Sequence, residues 1–483
     1  MYTKVVQFFL VISNKWMEKM KLFRKEPEFY SHVFTLAIPI ALQSLISVGV
    51  NMLDTIMVGK LGENSLSATS LANTFIGIYH IFCMGLGMGA SVLVSRYWGM
   101  KNKHDEEEEN ATVALKQTVA LMLRLAIILA TIFAIATIAV PELIMSTYSD
   151  DAEIIRLGGI YFRYSVITYF FLGTSLTTTI ALRSVGQVKL PLFVSIGAFF
   201  INLGANYTFI FGKFGAPRME IAGAALGTLI ARIFEATCIL GYLFIFDKRI
   251  AFRIKDFFMK TGSLIKEYIR ISIPVLISDG ILAIGNNTVA MVIGHIGPTF
   301  VAANAITSVT QQLSTVLIQG VSQAGAIVTG QTLGQGSKEK TMRQGWMFLG
   351  LGIALGAVSA IFIMVFSNPI IRSYDKVSAE TSAIAEQLML AISFIIIFQA
   401  TNSIMTKGVL RGGGDTKMLM IADNIFLWIL SIPLGIIAAF VLKLPAFWIY
   451  VALKFDQIVK TFWCVGRLKG EKWIKKISTG DKK

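Results

Sequence analysis

The chain has 483 residues, of which 54% are hydrophobic and only 15% charged, with a mean hydropathy of +0.66. A soluble domain carries roughly a quarter charged residues, so these proportions exclude an ordinary soluble enzyme or binding module. The formal charge of +15 is spread over alternate connections between apolar runs, which argues against a nucleic-acid partner and for a lipid bilayer.

Taken in chain order, the opening MYTKVVQFFLVISNK has a short apolar core and no small-residue cleavage site, so it reads as a tail rather than a cleaved signal; Met17 and Met20 are alternative starts. Apolar runs of about 20 residues then recur to the end. Twelve spans are predicted, at 33–58, 67–95, 113–140, 155–182, 188–211, 220–246, 269–293, 300–330, 345–367, 381–407, 418–441 and 445–466. With the N-terminus inside, the inner pieces hold 32 Lys and Arg and the outer pieces 7. That asymmetry predicts a multi-pass protein of the cell membrane with both termini cytoplasmic. The acidic run DEEEE at 105–109 falls in an inner loop and reads as a solvated loop. Cys83, Cys238 and Cys464 lie in apolar segments at spacings that imply neither a disulfide framework nor a zinc site.

The longest inner connection, 247–268, is basic and amphipathic and divides the chain near its middle. On either side the sequence repeats. IPIALQSLISVGVNMLDTIMVGKLG (38–62) aligns without a gap on IPVLISDGILAIGNNTVAMVIGHIG (273–297), and SRYWG (95–99) falls on GQTLG (330–334) at the same offset of 235. LRSVGQVK (182–189) falls on LRGGGDTK (410–417) at an offset of 228. Six spans per half preserve topology, so the halves are parallel repeats about an axis along the membrane normal, with substrate expected at their interface. The fold class is therefore all-α polytopic: twelve transmembrane helices in two six-helix bundles. The predicted organisation is a tail (1–30), a first bundle (31–246), a linker (247–268), a second bundle (269–466) and a basic tail (467–483). No phosphate-binding GxxxxGK[ST] loop, metal-ligand spacing or nucleophile elbow appears. The reading is a transporter without cofactor, driven by a gradient, and not an enzyme.

Asp54 carries the functional argument. An ionised aspartate in a span costs ~2.5–3.5 kcal/mol on insertion scales, and such groups face a cavity or a partner. Ser44, Ser47, Asn51 and Asp54 recur at spacings of 3, 4 and 3, one stripe of a helix. Asn202 and Asn206 in span 5 and Thr228 in span 6 fall at a similar depth, in the outer half of the first bundle. One carboxylate, two amides and a hydroxyl suit a proton or a hard cation such as Na+. Arg232 and Glu235 follow Thr228 on one face and read as a structural pair; Arg163 in span 4 reads as a further buried cation. The bland alternative is that Asp54 caps a helix end or pairs with Arg163 or Arg232.

The second half breaks the symmetry. Val289 stands opposite Asp54, Leu430 and Leu434 opposite the two asparagines, Asp456 opposite Thr228 and Lys460 opposite Arg232. Asp279, opposite Ser44, shares a stripe with Asn286 but lies ten residues nearer the cytoplasm, ~15 Å by helix rise. Internal ion pairs are expected for Lys454, Asp456 and Lys460, whereas Asp279 and Asp423 are candidates for touching substrate or proton.

These paired halves, the MLDTIMVGKLG end of the first span, IGPTFVAANAI, and LRSVGQVK with LRGGGDTK resemble the multidrug and toxic compound extrusion (MATE) antiporters over about residues 30 to 470. The resemblance implies two six-helix bundles around a central cleft and export of cationic, amphipathic small molecules in exchange for H+ or Na+; a monomer is expected. It implies that Asp54 couples to the ion, with Asn202 and Thr228 as partners. Asn206 departs from the pattern, since some relatives carry aspartate there; losing that acid favours H+ over Na+. A related branch couples through acids whose positions here are Leu282 and Ala400, leaving Asp279 one turn away. The alternative is a lipid-linked oligosaccharide flippase of the wider superfamily, whose cleft would be lined by basic groups.

Overall fold

The computed structural model describes residues 26–102, 108–262, 264–372 and 378–475. Most of the N-terminal tail, residues 105–107 of the acidic run and the end of the basic tail lie outside the described residues. Among the described residues every long element is a helix. The first half comprises α1 (Pro27–Gly59), α2 (Glu63–Lys101), α3 (Glu108–Ala139), the short α4 (Pro141–Ser146), α5 (Ala152–Ser165), α6 (Thr168–Ser184), α7 (Lys189–Phe211) and α8 (Ile221–Gly241). The second comprises α9 (Leu264–Ile296), α10 (Pro298–Gly334), α11 (Lys338–Arg372), α12 (Ala379–Ser403), α13 (Thr416–Ile425), α14 (Ile432–Ile436), α15 (Ala446–Leu453) and α16 (Phe455–Lys469). Widened π-helical turns extend α8 over Tyr242–Phe246 and α12 over Ile404–Leu410, and join α13 to α14 over Phe426–Ser431.

Among the described residues ten helical stretches, π turns included, are long and apolar enough to cross a membrane. The predicted span 155–182 comprises α5 and α6, which together are long and apolar enough to cross but are bent by 59° at Val166–Ile167. The cause is packing. Tyr161 and Phe162 of α5 belong to an outer cluster with Met57 and Ile210, whereas Tyr169 and Leu172 of α6 join Tyr79 and Cys83. A hydrophobic run has no local signal for a change of partner. The twelfth span is also broken, α15 meeting α16 at Lys454.

The 247–268 linker is not a free tether. Asp247 accepts the N–H groups of Ile250 (2.8 Å) and Ala251 (3.1 Å), and Arg253 N–H donates to Asp256 (2.8 Å) ahead of a 3-10 turn at Ile254–Phe258. From α3, Lys116 pairs with Asp256 at 3.0 Å and Arg124 donates to the carbonyls of Phe257 and Met259. The linker is thereby strapped to the first half.

The halves meet on the face that carries residues 26, 102 and 475. A Cβ on Gly99 would stand 2.1 Å from the Gln331 carbonyl oxygen, and one on Gly334 would stand 2.1 Å from that of Arg96 and 2.9 Å from Gly99 Cα. Glycine at both positions lets α2 and α10 touch backbone to backbone. SRYWG and GQTLG are repeat equivalents, and equivalents touch each other only where the two-fold axis passes between them. Further bonds close this face: Gln331 Nε2 donates to the Ser184 carbonyl (2.9 Å), and Arg96 Nη2 to that of Gly413 (3.3 Å). The first turns of α1 also belong to the second half's core, through Phe29, Val33, Leu36, Ala37 and Ile40.

Candidate functional site

Beyond this seam the halves enclose a cavity of about 1210 Å³. Its walls come mostly from the first half; Gln319 and Gln323 of α10 are the lining residues from the second. Ser44, Ser47, Asn51 and Asp54 all line it, because a helix returns every third or fourth residue to one face.

Asp54 is held from α7. Asn206 Nδ2 donates to Asp54 Oδ1 at 2.5 Å and lies 3.3 Å from Asn202 Oδ1. Both asparagines are buried, and Asn206 Oδ1 has no hydrogen-bond partner. α8 closes behind them: a Cβ on Gly227 would stand 2.1 Å from Asn206 Oδ1, so the adjacent position must be glycine for the amide to fit. Thr228 lines the cavity, and Tyr161 on the bent α5 donates to Asn73 Oδ1 at 3.3 Å beside it. Arg232 and Glu235, also on the wall, bind each other at 2.6 Å. Asp54 is thus the lining carboxylate held by amides alone. As a carboxylate it accepts the Asn206 N–H; once protonated it can donate, and an amide turned end for end can accept. The oxygens of Asn202, Asn206 and Thr228 also supply neutral donors that a cation at Asp54 needs.

Other predicted residues fall elsewhere. Arg163 is corrected: its side chain is 65% exposed and pairs with Glu142 at 2.8 Å. The bend after α5 turns this position outward, where a straight span would have buried it. None of the second-half candidates lines the cavity. Asp279 pairs with Arg411 at 3.2 Å, and Asn286 accepts a hydrogen bond from Lys454 at 3.2 Å. Lys454 therefore finds an amide where an ion pair is expected. Lys460 lies between Asp423 (3.2 Å) and Asp456 (3.1 Å) in a buried network with Ser278 and Ser431.

The floor of the cavity holds groups that sequence reasoning missed. Arg183 Nη1 donates to Gln323 Oε1 at 2.7 Å and Nη2 to Gln43 Oε1, while Gln43 Nε2 donates to Ser195 at 2.7 Å. The signal was available in LRSVGQVK, where an arginine closes an apolar span, but the motif reads first as an inter-helix loop.

The comparisons with known proteins agree with this architecture. The MatE family model matches residues 39–208 and 274–437, one stretch in each half. Bacillus subtilis YisQ, a transporter, is 26% identical over 92% of this chain and 95% of its own, and the probable multidrug resistance protein NorM of Thermotoga maritima is 26% identical over 88% and 89%. Among solved structures, the Vibrio cholerae MATE transporter VcmN superposes with a TM-score of 0.82 at 15% identity, covering 92% of this chain and 96% of its own. A MATE structure in a bent conformation gives 0.80 at 20% identity, over 94% and 98%. With its repeated halves, its membrane-spanning helices and a family match across both, the chain belongs to the MatE family and is a multi-pass membrane transporter of the multidrug and toxic compound extrusion class.

Proposed function

We propose that the protein is a monomeric secondary antiporter of the cell membrane that exports cationic, amphipathic small molecules in exchange for H+ taken up at Asp54. The observation that carries this reading is Asp54 on the cavity wall, bonded to the Asn206 amide at 2.5 Å. With both termini inside, as the basic loops favour, the closed seam is cytoplasmic and the cavity faces outward. Ionised Asp54 attracts a cationic cargo; protonation removes that attraction and the cargo leaves outward. Rocking of the two bundles about the axis then carries the proton inside. Each ligand can drive the cycle only if it binds the two states with different affinity. No cofactor enters this cycle.

The buried, unpartnered Asn206 Oδ1 favours one second reading, Na+ held by Asp54, Asn202, Asn206 and Thr228. A flippase for an anionic lipid-linked sugar is disfavoured because the cavity's charges are two carboxylates and two cations, not a basic lining. Proteoliposomes loaded with a fluorescent organic cation separate these readings when a pH gradient and a Na+ gradient are imposed in turn. Efflux driven by the pH gradient alone, and lost in Asp54→Asn, is expected. Efflux driven only by Na+ would transfer the site to the second reading, and normal coupled efflux in Asp54→Asn would remove Asp54 from both.

A further inference from the structure

Trp473 lies beyond the last helix, in a 3-10 turn at Glu471–Trp473, yet its side chain is fully buried and joins the core of the second half. It packs on Gly413, where a Cβ would stand 2.7 Å from Cζ3 of the indole. The residues after it are tied to the same loop. Lys475 N–H donates to the Gly413 carbonyl at 2.9 Å, and Asp415 takes Arg467 of α16 at 2.7 Å and the Lys475 ammonium at 3.4 Å. From the first half, the buried Arg96 forks over this platform, Nη2 on the Gly413 carbonyl at 3.3 Å and Nη1 on that of Lys475.

The repeat shows that the tail is an addition. Arg96 and Gln331 are counterparts, 235 positions apart, and each reaches across the seam to a loop of the other half, Gln331 to Ser184 at 2.9 Å. The Arg96 crossing takes in the tail as well. The counterpart of Gly413 is Val185, 228 positions back, whose side chain would fill the seat of an indole. The Val185 carbonyl is taken at 2.8 Å by Arg249, from the linker of its own half. The second half has thus opened a notch for one aromatic ring, and that ring fixes a carbonyl for a cation of the first half. A hydrogen bond from a guanidinium is among the stronger kinds, and this one crosses the plane on which the halves must part.

We propose that residues 471–475 are a latch on the face that bears the termini, with Trp473 and Arg96 as its gating residues: Arg96 must let go of the Lys475 carbonyl before the seam opens. The latch rests on the rocking cycle proposed above.

The test reads seam opening in the full-length protein in membrane vesicles, with Cys83, Cys238 and Cys464 replaced. Ser95→Cys reports the seam, since Ser95 is buried on α2 against Gly330 of α10. Ser70→Cys, made separately, reports the cavity that Ser70 lines. An impermeant maleimide is applied to the first from the side bearing the termini and to the second from the opposite side. Trp473→Ala should speed labelling at 95 about tenfold, as loss of one hydrogen bond to a charged group does, without speeding it at 70; Trp473→Phe should return the rate at 95 towards its starting value. Gly413→Val, which restores the residue of the first half, evicts the ring with Trp473 intact and should act as Trp473→Ala does, even if that variant fails to fold. Faster labelling at both sites marks a loosened fold and overturns the latch. A rate at 95 that neither variant moves overturns it too and leaves rocking standing. A cysteine at 95 that stays unlabelled throughout, in vesicles that still export a fluorescent organic cation, overturns the rocking cycle and the latch with it.

Discussion

Asn206 holds Asp54 only because Gly227 leaves room for it. Gly227→Ala puts a methyl where the amide oxygen stands, so the amide must turn away from the carboxylate. We expect pH-driven efflux to fall about tenfold, the loss of one hydrogen bond to a charged group, with the protein still monodisperse on size exclusion. Full efflux in that variant would show that Asp54 works without its amide. The Lys460 network makes a contrasting case. One lysine serves two buried carboxylates, at 3.2 and 3.1 Å, and none of the three lines the cavity. Lys460→Met strands both acids and should destabilise the protein by about 3 kcal/mol, as breaking a buried ion pair does; a lowered unfolding midpoint checks it. Adding Asp423→Asn should recover part of that loss, because it removes one stranded charge.

The helices explain which features were legible in the sequence. The polar stripe of α1 was legible because Ser44, Ser47, Asn51 and Asp54 obey a helical period amid apolar residues. The depth match of Asp54 with Asn206 followed from span direction alone. The α5–α6 bend was not legible, because Val166 and Ile167 look like any apolar pair and only their neighbours' partners differ. Arg163 was misplaced with it. Lys454 gave no local sign that it would break the last span. The linker strap was equally hidden, since it depends on Arg124 of α3 finding carbonyls more than a hundred residues away. Arg124→Ala should loosen that strap. Limited trypsin digestion is then expected to cut faster after Lys255 and Lys260, with cavity binding of the fluorescent organic cation retained; an unchanged cleavage rate would show that the Lys116–Asp256 pair suffices.

Across the whole molecule, the two halves are related by an axis that runs through the glycine seam. Transport by rocking requires this seam to part. Gly334→Leu should wedge it, since any Cβ there meets the Arg96 carbonyl at 2.1 Å. With Cys83, Cys238 and Cys464 replaced, a cysteine at Gln331 should then react faster with a thiol reagent applied from the side bearing the termini. An unchanged rate would show that the seam is not what holds that side shut. The seam also sets a mechanical ratio. From Gly99 to the far end of α2 at Glu63 the helix runs on the order of 54 Å by its rise. A turn of ~10° about the seam swings that far end by ~9 Å while the fulcrum scarcely moves. In the proposed rocking cycle the width of the mouth is thus governed by angle, so cargoes of quite different girth would pass the same gate without any side chain at the rim being tailored to them.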